Sequence, residues 1–119
     1  MIGRGDESGR ALLDLQLLRG EAQTASLTVW IDTAFDGELV VSRQVIQELV
    51  RQQSSAVEAT LADGTKVIPE TFECSIDWFG TPRTVEVVAN DGRLPLLGIG
   101  LLRDRRLVVD YRLSMLELH

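Results

Sequence analysis

Cysteine and histidine are almost missing from this sequence of 119 residues: Cys74 and His119 are the single representatives of each. Ser-His-Asp and Cys-His nucleophilic devices therefore have no candidate base other than the last residue. Zinc sites built from several Cys and His are excluded, as is a disulfide within the chain. Long hydrophobic runs are missing too. No apolar stretch approaches the roughly 20 residues that a membrane-spanning helix needs. Met1 to Arg10 carries Gly, Arg, Asp, Glu and Ser where an export signal has its apolar segment. A lone thiol in a chain of this kind points to a reducing, cytoplasmic setting.

Positive charge is in short supply. Lys and Arg total 12 against 18 Asp and Glu, for a formal net charge of -6. Such a balance repels phosphate backbones, so neither nucleic acid nor a membrane is expected as a partner. The one basic cluster, Arg103, Arg105 and Arg106, is interrupted by Asp104 and suits a helix end or a solvated turn. Carboxylate is what remains plentiful. If the chain catalyses a reaction, a carboxylate is the expected agent.

What is present reads as many short strands. Residues 1–9 suit a flexible N-terminal tail, and 10–119 a single domain. From Ala11 to Leu18 the leucines at 13, 15 and 17 share one face of a strand, although five leucines in the segment also suit a helix. Thr24 to Ile31 alternates more cleanly, with Ala25, Leu27, Val29 and Ile31 on one side and Thr24, Ser26, Thr28 and Trp30 on the other. Arg19-Gly20-Glu21 turns the first strand into the second. Glu38 to Val41 makes a short strand, and Ser42 is placed to cap a helix running to about Gln52. Ala56–Leu61 and Thr65–Phe72 flank Ala62-Asp63-Gly64, where Asp-Gly is a strong hairpin signal. Glu73–Trp78 and Pro82–Ala89 flank Phe79-Gly80-Thr81 in the same way. A short helix is expected over Leu97 to Asp104, then strands over Leu107–Tyr111 and Ser114–Leu118. Trp78 and Phe79 suit sheet packing, and Cys74 a small buried apolar position.

One carboxylate stands apart. Apolar residues lead into Asp32-Thr33-Ala34-Phe35, which places Asp32 at the end of a buried strand and the mouth of a tight turn. Turn amides can donate to such a carboxylate, and an Asp that merely ends a strand looks the same locally. The wider stretch Trp30-Ile31-Asp32-Thr33-Ala34-Phe35-Asp36-Gly37-Glu38-Leu39-Val40-Val41 resembles the catalytic strand-turn-strand of retropepsin-like (clan AA) aspartic proteases. Pro95-Leu96-Leu97-Gly98-Ile99-Gly100-Leu101-Leu102 resembles that family's later apolar-Gly element before a short helix. Leu61-Ala62-Asp63-Gly64-Thr65 falls where the family has its flap. The resemblance runs from about Arg10 to Leu118 and is closest to the small bacterial and archaeal branch with an Asp-Thr-Gly-Phe motif. It implies a mainly β fold, a small closed β-barrel with one or two short helices.

The resemblance also implies a division of labour. Asp32 is the catalytic carboxylate, Thr33 and Ala34 support it, and Ala62, Asp63 and Gly64 form the flap. Leu97 and Gly98 are structural at the active-site loop, Gly98 and Gly100 allowing close backbone approach. No metal and no cofactor is implied. Peptide hydrolysis by carboxylates needs two of them facing one water, sharing one proton; the handling of that pair is the standard case of coupled carboxylates. The chain has one Asp-Thr motif, so a two-fold homodimer supplies the second Asp32, with Ser114–Leu118 as a strand given to the dimer. Asp36 and Glu38 are the competing in-chain carboxylates, in positions that suggest exposure. The expected partners are thus a second copy and a peptide or protein substrate. The motif departs from the family at Ala34, where Gly is usual. The alternative expectation is a catalytically impaired module that dimerises or binds peptides.

Overall fold

The leucine-rich segment that suits either a strand or a helix is a strand: strands pair with it on both edges, and its odd-numbered face, Leu13, Leu15 and Leu17, lies in the core. A computed structural model describes residues 1–19, 23–52, 59–60, 66–67, 71–92 and 94–119. In chain order the elements are β1 (Ile2–Gly5), β2 (Ala11–Arg19), β3 (Gln23–Ile31), β4 (Leu39–Ser42) and α1 (Arg43–Gln52), then β5 (Ala59–Thr60) and β6 (Lys66–Val67). They continue with β7 (Thr71–Trp78), β8 (Thr81–Asn90), β9 (Leu96–Leu97), α2 (Ile99–Leu102), β10 (Leu107–Asp110) and β11 (Met115–Leu118). Among the described residues the protein is mainly β with two short helices.

Nine strands form one sheet in the order β10-β11-β1-β2-β3-β9-β4-β8-β7. Gln16, Leu17 and Leu18 of β2 also pair with Asp77, Ile76 and Ser75 of β7, which closes β2, β3, β9, β4, β8 and β7 into a ring. Two pairings in the ring are parallel, β3 with β9 and β4 with β8, whereas β4 and β9 run antiparallel between them. β1, β11 and β10 extend from the first half of β2 as a three-stranded apron. Inside the ring lie Leu13, Leu15, Leu17, Val29, Ile31, Leu39, Ile76, Val85, Val87 and Leu97, all buried. Burial of each such side chain is worth about 1.5–3 kcal/mol, so this contiguous cluster is the main source of stability. Among the described residues no polar or charged side chain is buried.

Alternation locates the strands well and their ends less well. The Phe79-Gly80 turn is one residue shorter than the sequence suggests, since Thr81 already pairs with Trp78. Phe79 and Gly80 both take left-handed backbone angles, φ 56 and φ 83, which is what a two-residue connection needs to follow the twist of its strands. Phe79 is held there by an edge-on contact with buried Trp78 and by the Arg105 guanidinium 3.8 Å from its ring centre. α1 begins where Ser42 places it, with the Val45 N–H donating to Ser42 Oγ at 3.3 Å. Ser42→Ala is expected to destabilise the fold by about 1 kcal/mol, read as a lower Tm in thermal unfolding. The helix expected over Leu97–Asp104 is a single turn, Ile99–Leu102, because Leu96 and Leu97 are taken up by the sheet.

Residues 1–9 correct the expectation of a flexible tail. Ile2–Gly5 is a strand that pairs with β11 on one side and β2 on the other. Two glycines and no alternation hide it in the sequence, and its main partner lies more than a hundred residues away. Gly3 permits the contact, since a Cβ there would run into the Leu12 carbonyl. The strand is tied laterally by Arg4, whose guanidinium reaches Asp14 at 2.9 Å, while the Thr28 hydroxyl donates to the other Asp14 oxygen at 2.6 Å. The Thr28 bond first, and Arg4 second, hold the Asp14 carboxyl below its ordinary range. A carboxyl with a depressed folded pKa contributes stability above its unfolded pKa and loses it as pH falls through the folded value. Asp14→Asn is therefore expected to cost stability at neutral pH, within about 1 kcal/mol for so exposed a pair, and the difference should close as pH falls through the lowered folded value. Urea unfolding of both proteins across that range measures it.

Candidate active site

Asp32 sits one residue beyond buried Ile31, at the point where β3 leaves the sheet. Its backbone N–H still donates to the Leu97 carbonyl at 2.9 Å, so its position is fixed by β9. The chain then reverses: the Phe35 N–H donates to the Asp32 carbonyl at 3.2 Å, and the Ala34 N–H donates to Asp32 Oδ1 at 3.0 Å. One carboxylate oxygen is thus held by the turn, and among the described residues the other accepts no hydrogen bond. Asp32 is half-buried, while Thr33 and Ala34 are exposed beside it. Ala34 is not among the residues with positive φ. The turn therefore does not require glycine at this position, and Ala34 supplies its amide without backbone strain.

Beneath this turn lies a platform made by the second segment picked out in the sequence. The Gly98 N–H donates to the Glu38 carbonyl at 2.9 Å, the Ile99 N–H to the Phe35 carbonyl at 2.8 Å, and the Gly100 N–H to the Gly37 carbonyl at 2.9 Å. These bonds tie Phe35–Glu38 to the start of α2 and leave little space between the two backbones. Gly98 has extended backbone, φ -102 and ψ -178, so its value is steric. A Cβ there would lie 2.6 Å from the Phe35 carbonyl oxygen and closer still to that of Gly37. At Gly100 a Cβ would lie 2.8 Å from the same Gly37 oxygen. Leu97, fully buried, anchors the platform in the core.

The other carboxylates have different work. Glu38 is half-buried and engaged with β8, accepting from the Glu86 N–H at 2.9 Å and pairing with Arg83 at 3.2 Å. Asp36 is exposed. Neither is brought to Asp32 by a bond. Cys74 lies half-buried in β7, and desolvation, with Glu38 nearby, pushes its thiol up to about 11. It is a poor nucleophile near neutrality. Ala62, Asp63 and Gly64 fall outside the described residues, but β5 and β6 on either side of them pair antiparallel, Ala59 with Val67 and Thr60 with Lys66. Among the described residues no group of three His, Cys, Asp or Glu could hold a metal ion.

One neighbour of Asp32 escapes the sequence reading. Trp30, two residues earlier on β3, points away from the core and is 39% exposed. With Arg10, Asn90, Gly92, Leu94 and Leu96 it lines an open groove of about 340 Å³. The Arg10 guanidinium lies 5.5 Å from the Trp30 ring centre. The signal available in the sequence was a large aromatic on the otherwise Thr- and Ser-bearing face of β3, in step with Asp32.

The sequence matches no protein-family model and no curated protein. The fold, in contrast, is similar to the crystal structure of a retropepsin-like aspartic protease from Rickettsia conorii. The TM-score is 0.66, over 99% of this chain and 88% of that one, at 15% identity. The architecture is therefore retropepsin-like.

Proposed function

We propose that the chain is an aspartic endopeptidase that works as a homodimer, with one Asp32 from each copy activating a shared water. The observation that carries this reading is the placement of Asp32 on a retropepsin-like fold. It stands at the end of a buried strand, with one oxygen held by the Ala34 amide and the turn fastened to the Gly98 platform. One Asp32, ionised, takes a proton from water as the water oxygen adds to the scissile carbonyl carbon. The other, protonated, donates to the carbonyl oxygen. The tetrahedral intermediate then collapses: one of its hydroxyl protons returns to the dyad as the C=O re-forms, the C–N bond breaks, and the departing nitrogen takes up the dyad's other proton. The Trp30 groove offers an apolar wall for a substrate side chain on the same side of β3. In this reading Thr33, exposed beside Asp32, braces the turn of a second copy.

The Ala34 amide, correctly aimed without a glycine, supports an active site over an inert module. The deciding experiment incubates the purified protein with a mixed peptide library from acid to neutral pH, beside Asp32→Asn. Cleavage that the variant loses is the expected result. Two identical, inert profiles would leave the peptide-binding module in its place.

A further inference from the structure

The parallel ladder between β4 and β8 begins at Leu39, which pairs with Val87. One residue earlier the backbone has left β8, and a side chain continues the connection. Glu38 Oε1 accepts the Glu86 N–H at 2.9 Å, and Glu38 Oε2 lies 3.2 Å from Arg83 Nη2. The carbonyl of the same residue accepts the Gly98 N–H at 2.9 Å. Its stem rests against the start of α2, since a Cβ on Gly100 would fall 2.9 Å from Glu38 Cγ. Glu38 therefore joins three elements: the far end of the Asp32 turn, the Gly98 platform and β8. Among the described residues it is the one side chain of residues 32–38 bonded to another strand.

The backbone alone holds this end of the turn lightly. β9 is two residues long, and β4 meets it only through Leu39 with Leu97 and Val40 with Leu96. The Asp32 end is tied by its own N–H to Leu97, and the Glu38 end by the Gly98 amide and the carboxylate. That side chain is 24% exposed, and a carboxylate so far withdrawn from water is costly unless its partners are in place. An apolar side chain of the same length would fill the space without this cost. It could bond to neither the Glu86 N–H nor Arg83, and hydrogen bonds to an ionised acceptor are the stronger kind.

We propose that Glu38 is a positioning residue for Asp32: its carboxylate latches the far end of the turn to β8, so that β8 helps to set where the Asp32 carboxylate stands. The inference rests on the peptidase reading above and adds to it a residue that acts through the turn. Between the two anchors lie the Phe35 and Gly37 carbonyls, which accept the Ile99 and Gly100 amides at 2.8 and 2.9 Å. Releasing the latch frees these carbonyls to shift, and the Asp32 turn moves with them.

Two variants of the full chain test the latch. Glu38→Met keeps the length of the side chain and removes both acceptors, whereas Glu38→Gln keeps an acceptor for the Glu86 N–H and removes the charge beside Arg83. At a temperature where circular dichroism shows each folded, Glu38→Met should lower kcat for peptide cleavage by roughly ten- to a hundredfold, with KM within about twofold. Glu38→Gln should fall between it and the parent. Asp14→Asn makes the same exchange of amide for carboxylate at an ion pair outside the turn, and should keep the parent's kcat. Glu38→Met with the parent's kcat, or with KM alone raised, overturns the proposal. Amide hydrogen exchange reads the latch without cleavage. In Glu38→Met the Ile99 and Gly100 amides should exchange roughly tenfold faster, the worth of one lost bond to a charged group, while the β2–β3 ladder is unchanged. Uniform acceleration, or none, overturns the proposal as well. Its failure is separable from that of the peptidase reading. Selective exchange in a chain whose parent cleaves nothing keeps the latch and removes the activity, and Asp32-dependent cleavage with unselective exchange does the reverse.

Discussion

Asp32→Asn is expected to lower kcat/KM for peptide cleavage by roughly 10⁴-fold or more, with fold and dimerisation unchanged. The size follows from symmetry. A single positioned acid or base contributes about 10²–10⁴-fold, and in a homodimer one substitution removes both at once. The amide cannot take a proton from water, and no ionised group remains to do so. Asn is nearly isosteric, and its side-chain oxygen still accepts from the Ala34 N–H, which in the native turn reaches Asp32 Oδ1 at 3.0 Å. The turn should therefore persist, and circular dichroism and sedimentation should match the parent. A companion result concerns pH. Two carboxyls that share one proton are active only while one is ionised and the other is not, so kcat/KM of the parent should fall on both the acid and the alkaline side. Retained cleavage in Asp32→Asn would assign any activity to another site.

Most of the ring was legible in the sequence because its strands carry their own signal. Leu13, Leu15 and Leu17, and Leu27, Val29 and Ile31, alternate with residues that face outward, and each set is buried in the structure. The same alternation placed Asp32 at a strand end. Ser42 announced α1 by a bond confined to one helical turn. The parts that escaped depend on partners distant in the chain. β1 has no periodicity of its own and exists because β2 and β11 offer it edges. α2 shrank to one turn because β3 and β4 claim Leu96 and Leu97 before the helix starts. β11 read as a strand, yet which strands would flank it was not written in its four residues; β1 and β10 take its two edges. At the site, Ala34 stands where the family's motif has Gly; whether the backbone itself needs glycine there depends on φ, which the sequence does not display, and it is not left-handed.

Gly98→Ala should do more damage to activity than its single methyl suggests. The added carbon would fall 2.6 Å from the Phe35 carbonyl oxygen and within reach of the Phe35 ring at 2.5 Å, with the Gly37 carbonyl nearer than either. Two of these neighbours are backbone atoms of the Asp32 loop, held by the Ile99 and Gly100 amides at 2.8 and 2.9 Å, so neither can turn aside as a flexible side chain would. Either β9 and α2 retreat or the loop lifts. Overpacking of this sort costs about 1–3 kcal/mol, and Tm should fall by roughly 5–10 °C in a chain this size. The loop that moves carries Asp32, and a displacement near 1 Å at a reacting group can cost about 10²-fold in rate. Gly80→Ala provides the contrast. Its φ of +83 makes any side chain strained, yet a Cβ there meets nothing within 4 Å, at a hairpin tip with no bond to the Asp32 turn. Both variants should melt early, but at a temperature where each is fully folded only Gly98→Ala should have lost kcat. Equal activity in the two would mean that the platform supports the fold without setting the position of Asp32.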